Sequence, residues 1–449
     1  MTRRVLTLCL SFSLAAVFIL PCLAADDPSQ ARERTRDMLL YGIDSQVLEV
    51  VQKLKATADT SYSGELAAVL AEQRGAELRR GILDFFTDTR TSGGEQAATE
   101  ILKGWQDAAV DLAIAAVRYL SAIEAKGRAA LFAPLLDAPQ PALASAAIRG
   151  LGKTGDPSVV ELLLKNLAGP DAAEAARGDL ILALGDLGDA RAVQPLIAIA
   201  KNRDEEKSRR MYAAASLGRL GDAAALPVLR DMFVEKDALL KASAAAALSR
   251  FSVQEAFDLL LAGLKDENWK VRVECAKALT RPLDPARAEQ ALAVLFYKGE
   301  FDPATQVRTE AVRAIGAIGG EKALRFLAGL FRDVKNPLAI REESLTVAAR
   351  AGLPAVLEAV RAVIAEEWKA VDQRTLEMTA RVISGFSAAE LHDTFSRLLE
   401  SPNPIVRIYG VRAIAAAAMR DLRERIVTIS KTDPHTAVQR EAAKALEKL

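Results

Sequence analysis

The chain has 449 residues, of which 51% are apolar, 5% aromatic and 26% charged, and its 59 Lys and Arg balance its 59 Asp and Glu. Half of the chain is apolar, which is enough for a buried core and excludes a disordered protein. The neutral charge balance argues against a general nucleic-acid-binding protein, which needs an excess of cations to neutralise phosphates.

The first 25 residues have the pattern of a secretory signal peptide. Arg3 and Arg4 precede an uncharged, largely apolar run over residues 5–20, and residues 22–24 offer a small-x-small cleavage site. The run is shorter than the about 20 apolar residues that a spanning helix needs, and no comparable run follows. We expect cleavage and export to the periplasm or cell envelope of a bacterium. The alternatives are an uncleaved anchor and a lipoprotein acylated at Cys22, which Pro21 disfavours.

Export would leave Cys275 as the only cysteine, because Cys9 and Cys22 lie in the signal segment. The mature chain is therefore expected to form no internal disulfide. Cys275 lies at an apolar helical position, which predicts a buried, inert thiol rather than a nucleophile.

The remaining chain is predicted to consist of three segments. Residues 26–36 are charged and form a flexible tether, residues 37–137 form an N-terminal cap with degenerate helical repeats, and residues 138–449 form a regular repeat array. Within the degenerate part, residues 77–86 and 111–124 have the pattern of first helices of a repeat, and residues 87–95 form a polar loop.

A Gly-x-x-Gly-Asp turn recurs in the array. Its second glycines, Gly155, Gly188 and Gly221, are 33 residues apart, and each turn lies between two apolar helical stretches. Glycine is expected to end the first helix in the left-handed conformation, and the following Asp is expected to cap the second helix.

A second periodic signal is a cation seven residues before the last core aliphatic of each first helix, preceded in most repeats by an acid six residues earlier. Since the acids fall in inter-repeat turns and the cations in the next first helix, we expect a structural polar ladder between adjacent repeats; a ligand-binding charge stripe is the alternative. The pairs are Asp171 with Arg177, Asp204 with Arg210, Glu235 with Lys241, Asp266 with Arg272 and Asp302 with Arg308; Ser401 takes the place of the acid before Arg407, and Asp433 precedes Gln439.

These features resemble HEAT repeats, and the Leu-Gly-x-Leu-Gly-Asp form resembles the subtype first named in phycobilisome lyases. The resemblance is strongest over residues 138–340 and looser at 377–383, 406–418 and 437–449. It implies an all-α fold, an α-solenoid superhelix of about 12 helix pairs in which each pair buries its apolar face on its neighbours. No segment shows sustained alternation with period two, so no sheet domain is expected.

Several motifs that suggest chemistry have a simpler explanation in the repeats. Residues 147–154 match a relaxed P-loop, but the residues before them are helical rather than a strand. His392 and His435 lack a second histidine at the spacing of a helical zinc site. The His-Glu pairs of HEAT-like deoxyhypusine hydroxylases and a Gly-x-Ser-x-Gly elbow are both missing from the sequence. We expect no catalytic, cofactor or metal site.

The sequence favours a monomeric, non-enzymatic scaffold or adaptor that binds a protein or peptide of unknown identity on the solenoid surface. The alternative is an enzyme or enzyme subunit, lyase-like by resemblance, with its site in the concave groove; an export signal conflicts with loading a chromophore in the cytoplasm. A groove with aromatic or Met side chains and mixed charges would favour the scaffold, and a close carboxylate pair would favour the enzyme.

A cluster of aromatic residues marks the middle of the array. Trp269, Phe296, Tyr297 and Phe301 fall within two consecutive repeats, although aromatics are scarce elsewhere. Because stacked turns emerge along one edge of a solenoid, Trp269, Tyr297 and Phe301 are candidate partner-binding residues. The alternative is local packing, with Phe296 in the core.

Overall fold

A computed structural model describes residues 28–123, 125–169, 174–251, 253–386 and 389–449. The signal segment predicted for residues 1–25 lies outside them. The described residues form helices and connecting turns, with no strand among them. The chain divides after residue 124 into two compact units, a first unit and a second unit. The all-α fold predicted from the sequence is therefore confirmed.

The first unit has helices on two layers. α2, α4 and α6 pack side by side as the first helices of successive repeats, while α1, α3 and α5 form the second layer. The bounds are α1 Pro28–Tyr41, α2 Asp44–Thr57, α3 Ser63–Ala71, α4 Ala76–Thr89, α5 Glu95–Lys103 and α6 Val110–Ile123.

The second unit has the same two-layer arrangement within itself. Its first helices are α8, α10, α12, α14, α16, α18, the first half of α20, α21, α23 and α25, each packed on the next. Its second helices include α11, α13, α15, α17 and α19. The bounds are α7 Ala129–Phe132, α8 Pro141–Gly152, α9 Val160–Ala168, α10 Glu174–Leu187, α11 Val193–Lys201, α12 Lys207–Leu220, α13 Leu226–Phe233, α14 Ala238–Leu248, α15 Val253–Gly263, α16 Trp269–Ala278, α17 Pro285–Phe301, α18 Thr305–Ile318, α19 Gly320–Arg332, α20 Leu338–Glu367, α21 Arg374–Ile383, α22 His392–Leu398, α23 Pro404–Ala416, α24 Arg423–Thr432 and α25 Thr436–Leu446.

The recurring Gly-Asp turn has the predicted conformation. The second glycine of each turn has a left-handed φ of 62°, 74° and 67° at Gly155, Gly188 and Gly221. The Asp that follows each glycine accepts the backbone N–H two residues later at 2.8–2.9 Å. A single 3-10 turn then leads into the second helix.

The first glycine of each turn has a different role, which the sequence analysis did not identify. A Cβ atom on Gly185 would lie 2.4 Å from the Cβ atom of Ser216 on the next first helix, and a Cβ atom on Gly218 would lie 2.9 Å from the Cα atom of Ala247. These glycines therefore allow successive first helices to approach closely, which sets the spacing of the stack.

α20 is one continuous stretch that serves as two helices. Gly352 leaves the helical conformation, with φ 177° and ψ 86°, and Pro354 follows it. Since proline cannot donate the hydrogen bond of a helix interior, the break lies between residues 338–351 and 353–367. None of the helices described here combines the length and apolar character that crossing a lipid bilayer requires.

Candidate functional site

Three of the predicted ladder cations, Arg210, Arg272 and Arg407, lie buried between first helices, and Arg177, Lys241 and Arg308 are half-buried. Arg272 is 7% exposed, and its Nε and Nη2 atoms each donate to a carboxylate oxygen of Asp302 at 2.8 Å. Its Nη1 atom donates to the carbonyls of Asp266 and Glu267, both at 2.9 Å. Asp302 is itself only 3% exposed. The guanidinium thus ties the turn before its own helix to the turn of the next repeat.

The same connection repeats along the second unit. Five of the predicted cations bond a side chain in the turn after their own repeat, and Arg341, which the sequence pattern did not include, bonds Thr375 at the start of α21, so the rungs join adjacent repeats. The rungs are Arg210 with Glu235 at 3.2 Å, Lys241 with Asp266 at 2.7 Å, Arg272 with Asp302 at 2.8 Å, Arg308 with Asn336, Arg341 with Thr375 at 2.9 Å, and Arg407 with Asp433 at 2.8 Å.

Three acids of these rungs, Asp266, Asp302 and Asp433, have a pKa below the ordinary value. Burial raises the pKa of Asp302, but the hydrogen bonds from Arg272, Ala304 and Lys298 outweigh that effect and leave its pKa below the ordinary value. The pKa of Asp433 is lowered by the same balance, with Arg407 as the main partner. A rung whose two members are buried and bonded to each other offers no free charge to an external ligand.

The pairs read from the sequence are not the bonded pairs, because the cations of the rungs bond side chains of the next repeat rather than the side chain of the acid six residues before them. Arg177 lies 3.8 Å from Glu205, whereas Asp204 is exposed and its N–H donates to the Asn202 side chain at 3.1 Å. The reason is the length of the turn: Asn202 stands eight residues before Arg210, two more than Asp266 before Arg272, so a later residue of the turn faces the preceding repeat. Asp171 lies outside the described residues.

Trp269 lines a groove that crosses four first helices. The groove has a volume of about 570 Å³ and is bordered by residues of α12, α14, α16 and α18. Trp269 and Leu239 are 40% and 41% exposed. We name it the Trp269 groove; its lining residues are Met211, Leu239, Ala242, Ser243, Ala246, Trp269, Lys270, Val273, Glu274, Lys277, Gln306 and Glu310.

The other two candidate aromatics belong to a second helix. Tyr297 and Phe301 are 61% and 60% exposed at the end of α17, with ring centroids 5.4 Å apart. Neither is among the residues that line the Trp269 groove. The chain reverses direction at each inter-repeat turn. Trp269 comes just after such a turn and lies on the first helix α16, whereas Tyr297 and Phe301 come just before the next turn and lie on the second helix α17. Phe296 is half-buried and stacks on Phe326 at 4.3 Å between ring centroids.

The residues that suggest chemistry have local structural partners. Thr154 is buried at the end of the P-loop-like stretch, and its hydroxyl donates to the Leu151 carbonyl at 2.7 Å. Cys275 is buried as predicted, and burial raises the pKa of its thiol far above the ordinary value. His392 is paired with Asp421 at 2.6 Å on the surface. Within the described part of the chain, no three His, Cys, Asp or Glu side chains are grouped to hold a metal ion.

The chain is similar to solved helical-repeat structures. It matches a chain of the structure of Kap95p with RanGDP at 12% identity and TM-score 0.49, over 94% of this chain and 60% of that one. It matches the karyopherin Kap121p bound to the extreme C-terminus of the protein phosphatase Cdc14p at 12% identity and TM-score 0.42, over 92% of this chain and 53% of that one. The chain thus spans little more than half the length of these proteins.

A third similar structure is the complex of CpcE and CpcF of phycocyanin lyase from Nostoc sp. PCC7120. The identity is 21% and the TM-score 0.33, over 52% of this chain and 92% of that one. No curated protein matches the chain. A family model described as spirochaete HEAT repeat protein matches residues 39–445. The match covers most of the chain and both compact units, and the chain therefore belongs to the family of spirochaete HEAT repeat proteins.

Proposed function

We propose that this chain is a non-enzymatic scaffold of the bacterial periplasm or cell envelope, and that it binds a peptide segment of a partner protein in the Trp269 groove. The observation that carries the proposal is the chemistry of the groove. The groove is lined by the exposed Trp269 indole, by Met211 and by small side chains that include Ala242 and Ala246. Such a surface gives an apolar partner side chain a large contact area at little entropic cost.

The charges at the rim support a polypeptide as the ligand. Glu274 and Lys277 form an ion pair at 2.8 Å, and Lys270 lies 5.9 Å from the centre of the Trp269 ring. Glu310 is paired with Arg313 at 2.8 Å. An apolar centre with a rim of mixed charge is the usual anatomy of a protein–protein interface.

The proposed location rests on the sequence of residues 1–25, which precedes the described helices. N-terminal sequencing of the protein from its native host tests it, because a mature chain that begins near Asp26 indicates cleavage of an exported precursor. A chain that retains Met1 in the cytoplasmic fraction would contradict export.

The binding proposal is tested by affinity capture from an envelope extract, with quantification of the same captured protein across variants. Ser243→Arg fills the floor of the groove, and Trp269→Ala removes its largest apolar contact. We expect Trp269→Ala to weaken binding of the captured partner by about 1–2 kcal/mol, a typical loss of binding free energy for an interfacial Trp, and Ser243→Arg to abolish capture.

The matched controls are Tyr297→Ala and Phe301→Ala, which remove exposed aromatics from a second helix. They are expected to retain the partner. If both groove variants capture the partner as well as the unaltered chain does, and circular dichroism confirms their helical fold, then the groove is not the binding site.

A further inference from the structure

Arg79 of the first unit occupies the position of a ladder cation. It is the fourth residue of α4 and stands seven residues before the buried Phe86, just as Arg210 is the fourth residue of α12 and stands seven residues before the buried Leu217. By analogy with the second unit, its acceptor should lie in the turn that follows α5.

Glycine stands where that acceptor should be. Gly104 follows Arg79 by 25 residues, the separation between Lys241 and Asp266. The N–H of Gly104 donates to the carbonyl four residues earlier at 3.2 Å, as do the N–H groups of Asp302 at 3.3 Å and Asp433 at 3.1 Å. α5 therefore ends at Gly104 with the backbone hydrogen bond that also precedes two closed rungs, although ψ is 34° at Gly104 and 131° and 134° at Asp302 and Asp433, and glycine has no side chain to offer as an acceptor.

Arg79 is consequently a cation without a partner. Its Nε atom is buried without a hydrogen-bond partner, and its guanidinium makes no hydrogen bond or ion pair within the described residues. Arg79 is half-buried, and burial lowers its pKa from the ordinary value. Arg177 and Arg341 also have one unpaired buried nitrogen, but each is held by another contact in its rung.

The place of the missing carboxylate is a cavity. Arg79 and Gly104 both line an open cavity of about 970 Å³, whose walls carry Ala67, Ala71 and Ala97 and the amides of Gln73 and Gln96. The lining residues all belong to the first unit.

Among the described residues that line the cavity, Arg79 is the one cation without a counter-charge. Arg74 is neutralised by Asp44 at 2.8 Å and also bonds the Gly42 carbonyl. Glu100 is paired with Lys103 at 2.8 Å, and Asp107 is exposed to solvent. Two acids at the wall oppose a polyanion, whereas a single carboxylate matches one guanidinium.

We propose that the cavity at Arg79 binds the C-terminal carboxylate of a peptide, which supplies from outside the acceptor that Asp302 supplies to Arg272 within the chain. The amides of Gln73 and Gln96 suit a peptide backbone, and the alanine walls leave room for a small apolar side chain. The site lies outside the Trp269 groove and does not depend on it, so either can fail alone.

The proposal is tested by calorimetric titration of the purified chain with N-acetylated trialanine that carries a free C-terminal carboxylate. The same peptide with a C-terminal amide and inorganic phosphate are the comparison ligands. We expect the free carboxylate to bind roughly 10- to 100-fold more tightly than the amide, the usual range for a hydrogen bond to a charged group.

Three variants test whether the preference for the carboxylate peptide over the amide peptide depends on Arg79 and Gly104. Arg79→Met should remove the preference for the carboxylate and leave the melting temperature unchanged or higher. Gly104→Asp should also remove it, because an internal carboxylate then occupies Arg79. Gly104→Ala adds a Cβ atom without a hydrogen-bond acceptor and should retain most of the preference.

The proposal is overturned if the carboxylate and amide peptides bind equally to the unaltered chain, or if Arg79→Met retains the difference. Phosphate binding as tightly as the carboxylate peptide would also overturn it, since the cavity would then be a general anion site.

Discussion

Arg79 and Arg272 occupy the same place in their helices, yet only Arg272 is bonded to a carboxylate. Arg272 is enclosed by Asp302 and two backbone carbonyls, whereas Arg79 faces a cavity. The turns that follow differ in two ways: Gly104 stands directly after α5 where Asp302 stands directly after α17, and six residues separate α5 from α6 whereas three separate α17 from α18. The first unit therefore keeps the cation of the ladder and lacks its acceptor.

This contrast separates two uses of one repeat position. A buried ion pair that satisfies its hydrogen bonds joins neighbouring repeats and fixes their register, although its net contribution to stability can be small. A cation that stays unpaired costs folding free energy, which a ligand that supplies the missing charge can recover. The second unit uses the position for assembly of the stack, and we infer that the first unit uses it for binding.

The largest expected effect is the opening of a closed rung. Asp302→Ala removes the acceptor of both Arg272 and Lys298, the latter at 3.1 Å, and leaves Arg272 buried without its counter-charge. Breaking a buried pair in this way typically costs about 3–5 kcal/mol. Because repeat arrays do not always unfold in one transition, hydrogen exchange of α16 and α18 is the appropriate measurement.

Two controls sharpen this test. The double variant Arg272→Met with Asp302→Leu removes both charges and should recover most of the lost protection. Asp107→Ala removes an exposed acid from the corresponding turn of the first unit and should change stability by less than about 0.5 kcal/mol. Equal losses for Asp302→Ala and Asp107→Ala would refute the distinction between closed and open rungs.

Acidification should open the same rungs by protonation. In Asp266, Asp302 and Asp433 burial raises the pKa, but partner cations and backbone N–H groups outweigh it, so each pKa lies below the ordinary value. Such carboxylates contribute stability that is fully present above the unfolded pKa of about 3.9, and that is lost as pH falls through the lowered folded pKa.

We therefore expect hydrogen-exchange protection of α14, α16, α18 and α25 to be constant above about pH 5 and to fall below about pH 4. Asp302→Asn should reduce this dependence at α16 and α18 while leaving it intact at α25. A loss of protection at α16 that begins near neutral pH would show that another group controls the rung.

The closed rungs also depend on the close approach of first helices. Gly185→Ala would place a Cβ atom 2.7 Å from the Cα atom of Ser216, a backbone position that cannot move away cheaply. Overpacking of this kind typically costs about 1–3 kcal/mol.

Gly329→Ala is the matched control, because a Cβ atom there would meet nothing within 4 Å. It should stabilise the chain by about 0.5–1 kcal/mol through the unfolded state. Melting temperatures that shift in opposite directions would support the packing role of Gly185, and a stabilising Gly185→Ala would contradict it.

Features that recur at a fixed spacing could be predicted from the sequence, whereas contacts that depend on the length of a turn or on the distance between helices could not. The left-handed glycines and the ladder cations were found because they recur at fixed spacing. Glu205 and Asn336 were missed as acceptors because their turns are longer, and the separation alone does not tell which residue faces the previous repeat. The packing role of Gly185 required a distance between helices, which no single helix contains.

The cation of the open rung can be predicted from the sequence, but the pairing of each cation with an acid six residues earlier does not reveal it. Residues 77–86 were recognised as a first helix, and Arg79 stands seven residues before Phe86 as the ladder requires. The sequence pattern associates each cation with an acid six residues earlier, whereas the partner in the structure lies about one repeat later. A periodic signal also cannot reveal a missing residue such as the carboxylate absent at Gly104.

The smallest expected effect is the closing of the open rung. The φ angle of Gly104 is −104°, and a Cβ atom there meets only the Glu100 carbonyl at 3.9 Å, so Gly104→Asp introduces no backbone strain. Replacing glycine at a compatible position stabilises by about 0.4–1 kcal/mol, and a partly exposed ion pair with Arg79 adds at most about 1 kcal/mol. Gly104→Ala should give only the first contribution, and so should Gly104→Asp combined with Arg79→Met. A melting temperature of Gly104→Asp above those of the two comparison variants would show that Arg79 is an unsatisfied ladder cation. Equal melting temperatures of the three variants would mean that Arg79 does not face the turn after α5 in solution.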